Sequence, residues 1–210
     1  MSLNLPSQLA SVLVLVSAYL VGALPFAVWV GRIKGVDPRS RGSKNPGASN
    51  VARTLGVKWG LLTLALDAGK GALATLMSPQ LFALLSVGAA HTTNGELNLL
   101  PALAAFASVL GHTTSPFLRG KGGRGVATTG GALVALHTGL GLLCALAWAL
   151  VLLITQTPAW ASLCLAVLMV TLSLRAEVAE PTQLFALLSA TLIVVRHWSH
   201  IKRLLSPRSL

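Results

Sequence analysis

The sequence predicts an all-α protein, a polytopic integral membrane bundle of seven transmembrane helices with its N-terminus outside and its C-terminus inside. Three observations carry that expectation. Of 210 residues, 54% are hydrophobic and only 10% are charged, against about 25% charged in an ordinary soluble domain. The mean hydropathy of +0.74 calls for lipid rather than water around most of the fold. The charges are also segregated. None falls in residues 1–31, 71–95, 97–118, 125–174 or 181–195, and the basic residues gather in Arg32–Lys58, Arg119–Arg124 and Arg196–Arg208. Basic loops between apolar spans mark the cytoplasmic side. That accounts for the net charge of +11 without nucleic acid as a partner. The chain reads as one integral membrane domain over residues 1–210.

The spans follow in order. Residues 8–31 form a first helix. No basic residue precedes it, unlike a cleavable signal, so it is retained with its N-terminus out. Residues 57–78 leave the cytoplasm, and Ser78-Pro79 ends that helix. Residues 80–90 are too few to span and form an outer extension or a re-entrant piece. Residues 97–118 return. The charge-free run 125–174 must then cross an odd number of times to keep the last basic patch inside. Its length fits three crossings, with breaks at His137-Thr138-Gly139 and at Thr155–Pro158. Residues 181–196 complete the seven. Glu96, Glu177 and Glu180 fall on the outer side, as do His91 and His137, which receive no role. Cys144 and Cys164 lie inside apolar runs, so no disulfide framework follows.

Three cytoplasmic segments carry more than topology requires. Gly35 to Arg53 is dense in Gly, Ser and Asn with cations interleaved, a composition suited to backbone anion nests and side-chain donors. Arg53 stands where a helix is about to begin. Gly111 to Thr128 contains Lys121-Gly122-Gly123-Arg124-Gly125, two cations on a permissive backbone that runs into a helix N-terminus. It lacks the Gly-Lys-Ser/Thr ending of a Walker A loop. Val195 to Leu204 places His197 beside Arg196 at the membrane boundary, where a histidine can serve as acid, base or anion ligand. Each segment alone also fits a linker, a stop signal or a topology anchor. Asp67 and Lys70 share a face of the second span, where ionisable groups are costly. A structural pair fits them as well as a functional one. No Gly-x-Ser-x-Gly elbow or His-Glu-x-x-His cluster is present. His91 to Glu96 only loosely matches a His-x4-Asp pattern.

Together these segments resemble the acyl-phosphate-dependent glycerol-3-phosphate acyltransferases of bacteria, the PlsY family. The likeness runs through Gly22-Ala23-Leu24-Pro25, Gly35 to Arg53, Leu66-Asp67-Ala68-Gly69-Lys70-Gly71, Gly111 to Thr128, Ala161-Ser162 and Arg196 to Leu204. It implies seven helices in the bacterial inner membrane and a site facing the cytoplasm. It also implies acyl transfer from acyl phosphate to the 1-hydroxyl of sn-glycerol 3-phosphate, yielding lysophosphatidic acid and phosphate. No metal, cofactor or acyl-enzyme is implied. Carried over by position, His197, Ser43 and Arg124 are expected at the chemical step. Substrate binding is expected from those three with Asn45, Asn50, Arg53, Lys121, Ser162 and His200. The expected partners are the two substrates, membrane lipid and the enzyme that supplies acyl phosphate. The chain departs from the family pattern with Ala23 for Ser, Lys44 for Gly, Ser49 for Thr, Arg124 for Lys and His200 for Asn. A small anion or organophosphate transporter is the alternative, but Asp67 and Lys70 have no counterpart in the second half.

Overall fold

The computed structural model describes residues 5–86, 94–175 and 177–205. They form α1 (Ser7–Ala23), α2 (Phe26–Ile33), α3 (Ala48–Leu55), α4 (Val57–Leu85) and α5 (Asn94–Thr113). A 3-10 turn at Pro116–Leu118 leads to α6 (Val126–Leu136), α7 (Thr138–Thr155), α8 (Pro158–Ser173), α9 (Glu180–Arg196) and α10 (Trp198–Leu205). No strand occurs among the described residues.

The surface is inside out by the standards of a soluble protein. Ile154 is 81% exposed, Leu153 68% and Val167 65%, as side chains facing acyl tails would be. The interior is built from small residues instead. Gly22 lies against the Ser108 backbone and Gly111 against that of Tyr19, so α1 and α5 touch nearly backbone to backbone. Gly71 meets Thr128 and Gly131 meets Ala68, which does the same for α4 and α6. Close approach at small residues replaces the hydrophobic drive that lipid removes. Larger side chains fill the space between α5, α6, α8 and α9, where Val109, Leu133, Met169, Phe185 and Ile193 are buried together.

Three stretches are long and apolar enough to cross a bilayer: Ser7–Ile33, Val57–Leu85 and Thr138–Thr155. The first departs from the single rod expected over 8–31, because the helix breaks at Leu24-Pro25. The break frees two carbonyls, and distant side chains take them up. Lys70 Nζ donates to the Leu24 carbonyl at 3.0 Å, and Ser115 Oγ to the Ala23 carbonyl at 2.6 Å. Pro79 does the reverse of what was expected. It sits inside α4, which runs on to Leu85. Proline has no N–H for the Thr75 carbonyl, but Ser78 Oγ donates to that carbonyl at 2.8 Å. The backbone group is satisfied, so the helix continues. Part of the expected outer piece over 80–90 therefore belongs to α4, and His91 lies outside the described residues.

The breaks expected in 125–174 are present. His137 ends α6 and caps α7, its Nδ1 accepting the Leu140 N–H at 3.2 Å. Gln156 turns left-handed at φ 52°, and Pro158 opens α8. At 11 residues, α6 is about 16 Å long.

Candidate active site

The first basic segment is not loop throughout. Its second half is α3, so Arg53 sits in the last turn of that helix rather than ahead of α4. Val51 buries against Ala27 and Val30 and fixes α3 to α2 and α4. The preceding loop is shaped by Asn50, which is 1% exposed. Its Oδ1 accepts the Ser43 N–H at 2.8 Å. Its Nδ2 donates to the carbonyls of Pro38 at 2.7 Å and Arg41 at 3.1 Å. The amide is spent on holding the loop, which makes Asn50 a scaffold residue.

The second segment is exposed at Arg119–Lys121 and turns inward at Gly122 and Gly123, which are buried. The Gly122 and Gly123 N–H groups donate to the carbonyls of Thr113 at 3.2 Å and His112 at 3.1 Å. Behind them Asp67 and Lys70 pair at 2.8 Å, both buried, with His112 Nδ1 3.6 Å from the same Asp67 oxygen. The third segment closes α9. Arg196 donates to the Gly122 carbonyl at 2.9 Å and to that of Gly123 at 3.0 Å.

These elements surround one cavity of about 310 Å³. Ser43, Asn45, Asn50, Arg53, Arg124, Ser162, His197 and His200 all line it. Lys121 is exposed on the loop and does not line the cavity, whereas Arg124, three residues on, does. Asp67, His112, Ser49, Trp148 and Thr157 also line the cavity. The reading of the motifs left them out of the site. Asp67 and Lys70 carried a signal as ionisable groups within a span. Trp148 and Thr157 carried none, since nothing local ties α7 to the glycine loops.

The cavity is built for anions beyond its side chains. The N-termini of α3 (Gly47, Ala48), α6 (Gly125, Val126) and α8 (Pro158, Ala159) all open onto it. None of the three has a side-chain cap. First-turn amides have no partner within their own helix, and each N-terminus carries a partial positive charge. Three such ends with Arg53 and Arg124 make a strongly positive pocket.

Two lining groups have defined hydrogen-bond states. Ser162 Oγ donates to the Pro158 carbonyl at 2.7 Å, which leaves its lone pairs toward any further partner. His197 lies one residue past α9, and its Nδ1 is 2.8 Å from the Ile193 carbonyl. A carbonyl only accepts, so Nδ1 carries the proton and Nε2 holds the lone pair. Burial, aided by the cations of Arg124 and Arg196, pushes this imidazole down to about 4. His200 packs edge-on against Trp160, with ring centres 6.3 Å apart.

The sequence matches the glycerol-3-phosphate acyltransferase family over residues 12–207. A glycerol-3-phosphate acyltransferase of Burkholderia pseudomallei (strain 1710b) is 40% identical over 194 residues, covering 91% of this chain and 90% of that protein. One from Nitrosomonas eutropha is 36% identical over 201 residues, covering 94% and 95%. The fold superposes with a TM-score of 0.80 on a crystal structure of PlsY (YgiH), an integral membrane glycerol 3-phosphate acyltransferase, in its glycerol 3-phosphate form. Identity there is 32%, over 93% of this chain and 92% of that one. A lysophosphatidic acid form of that enzyme gives 0.79 at 31% identity. With sequence and fold in agreement, this chain belongs to the PlsY family of integral membrane glycerol-3-phosphate acyltransferases.

Proposed function

We propose that this protein transfers an acyl group from acyl phosphate to the 1-hydroxyl of sn-glycerol 3-phosphate. The products are lysophosphatidic acid and inorganic phosphate, an early step of bacterial phospholipid synthesis. The observation that carries the reading is the convergence of three uncapped helix N-termini and two guanidinium groups on one cavity. Both substrates carry a phosphate group, one as an ester and one as an acyl anhydride, and holding two such anions together demands that much positive potential. The glycerol 3-phosphate and lysophosphatidic acid forms of the homologous PlsY are consistent with it.

In this reading Arg53, Ser43 and Asn45 hold one phosphate, and Arg124 with the α6 amides holds the other. Bringing hydroxyl and carbonyl carbon together supplies much of the rate. The glycerol oxygen bonds to the acyl carbon, the C–O bond to phosphate breaks, and the hydroxyl proton leaves. An imidazole held near 4 is a weak base, so the departing phosphate takes the proton while His197 Nε2 orients the hydroxyl. Donors around Ser43 and Arg124 stabilise charge developing on the carbonyl and phosphate oxygens.

The proposed setting is the inner membrane, with seven crossings, the N-terminus outside and the cavity opening to the cytoplasm. That side would meet the enzyme that supplies acyl phosphate. The test uses purified protein with acyl phosphate and glycerol 3-phosphate, and acyl-CoA and acyl-carrier protein as alternative donors. Lysophosphatidic acid formed from acyl phosphate alone supports the assignment. Product only from another donor overturns it.

A further inference from the structure

Arg196 stands beside the site as a cation, next to His197, yet it does not line the cavity. Its guanidinium is spent on backbone. Nη2 reaches the Gly122 carbonyl at 2.9 Å and the Gly123 carbonyl at 3.0 Å, and Nε reaches the latter at 3.2 Å. The N–H groups of the same two glycines point the other way, to Thr113 and His112 at the end of α5. The two residues are thus gripped on both edges, and the peptide between them is held at its carbonyl by Arg196 and at its N–H by His112. Neither has a side chain, and neither has room for one. A Cβ on Gly122 would run into the His112 carbonyl, and one on Gly123 into the His112 ring.

We propose that Arg196 is a positioning residue that clamps the second glycine loop and is not itself a phosphate ligand. This rests on the reading of that loop as a phosphate cradle. Carbonyl oxygens facing the cavity would repel an anion. Arg196 draws two of them away, and the next residues, Arg124 and Gly125, emerge into the cavity at the start of α6. The clamp also joins two distant segments. Arg196 precedes His197 directly, so the end of α9 sets the loop and the histidine as one unit. The task requires a fork. A guanidinium presents planar donors to two neighbouring carbonyls, whereas an ammonium offers a point charge. Lysine at this position keeps the charge and loses the geometry.

The test compares Arg196→Lys and Arg196→Gln in the full-length protein. Two measurements are made, glycerol 3-phosphate kinetics and amide hydrogen exchange. The clamp predicts that both variants raise KM about tenfold or more, with a smaller fall in kcat. Exchange at Gly122 and Gly123 should quicken about tenfold in both, while the helical amides of α5 and α9 stay as in the wild type. Guanidinium ion added to Arg196→Ala should restore part of the lost affinity. A wild-type KM in Arg196→Lys would show that charge alone matters and would overturn the clamp. So would unchanged exchange at the two glycines in Arg196→Gln. Exchange needs no substrate, so it decides the clamp even if acyl phosphate proves to be the wrong donor. Should Arg196→Gln fail to fold, the milder Arg196→Lys carries both readouts.

Discussion

The two glycine-rich loops look alike in composition and are held in opposite ways. Residues 39–44 are exposed, and the loop is held by side chains: Asn50 from the helix that follows it, and Asp37, which accepts from Arg39. Residues 122 and 123 are buried, held by backbone bonds to α5 on one edge and by Arg196 on the other. The first loop lies at the surface. The second is part of the frame. The difference teaches that glycine next to lysine or arginine does not specify burial, since the surrounding polar groups decide it.

The sharpest way to break the comparison is to add one methyl group to the rigid loop. Gly122→Ala places a Cβ against the His112 backbone carbonyl, which cannot rotate away. The fall in kcat/KM should be at least about a hundredfold, roughly 3 kcal/mol in transition-state terms. Steady-state kinetics on the detergent-solubilised enzyme measures it. Near wild-type turnover would mean that the second loop is as yielding as the first.

Arg53→Ala probes the exposed side. The side chain lines the cavity from the end of α3, with no acidic partner among the described residues. A lost charge-assisted hydrogen bond of about 1.5–3 kcal/mol corresponds to roughly a 10–100-fold higher KM for glycerol 3-phosphate. An unchanged KM would remove Arg53 from the site. Asn50→Ala should act less severely. It leaves the Ser43 N–H and two carbonyls without their partner, but that loop is near water, which can replace some of the bonds. A KM rise of about tenfold is expected, with little change in kcat. Asn50→Asp should fall between, because it keeps the acceptor for Ser43 and loses both donations.

How far the sequence could be read follows the same division between local and distant partners. The breaks at His137 and at Thr155–Pro158 were legible because their cause is local: a capping histidine and a proline at a helix start. The two prolines depend on which donors reach the carbonyls they free. Pro25 breaks its helix, and Lys70 and Ser115 donate to the Leu24 and Ala23 carbonyls, which lie 46 and 92 residues away. Pro79 does not, because Ser78 supplies the missing bond. In the site, chemistry-bearing residues in the glycine motifs could be named one by one. The α6 N-terminus was legible too, since the glycine run leads into it, but Trp148, Thr157 and the N-termini of α3 and α8 were not, since only packing around one cavity brings them to it. The part Asn50 plays in holding the loop was not legible, because its three partners span Pro38 to Ser43.

The pH profile offers a finer test. The ordinary histidine value is near 6.5, and His197 is held at about 4 by burial and neighbouring cations. It is therefore neutral in the folded protein above pH 5. No activity limb near 6.5 should belong to it, and one that disappears in His197→Gln would contradict its burial. The linkage to stability has a definite sign. Because the folded value is depressed, the unfolded chain takes up the proton first. His197 thus favours folding fully above about 6.5 and progressively less as the pH falls toward 4. Thermal unfolding between pH 4 and 7 reads that slope.

The smallest expected effect concerns Lys44, which stands where the family usually has glycine. Its φ is 58°, in the left-handed region, which costs a side chain of this kind about 1–2 kcal/mol. Lys44→Gly relieves that strain but frees the unfolded chain by about 0.5–1 kcal/mol. The net gain should be about 1 kcal/mol or less, visible as a small upward shift in the unfolding midpoint. Lys44 does not line the cavity, so kcat and KM should stay within about twofold of wild type. A loss of affinity instead would mean that its charge guides anions to the exposed loop, and that the first loop recruits substrate as well as holding it.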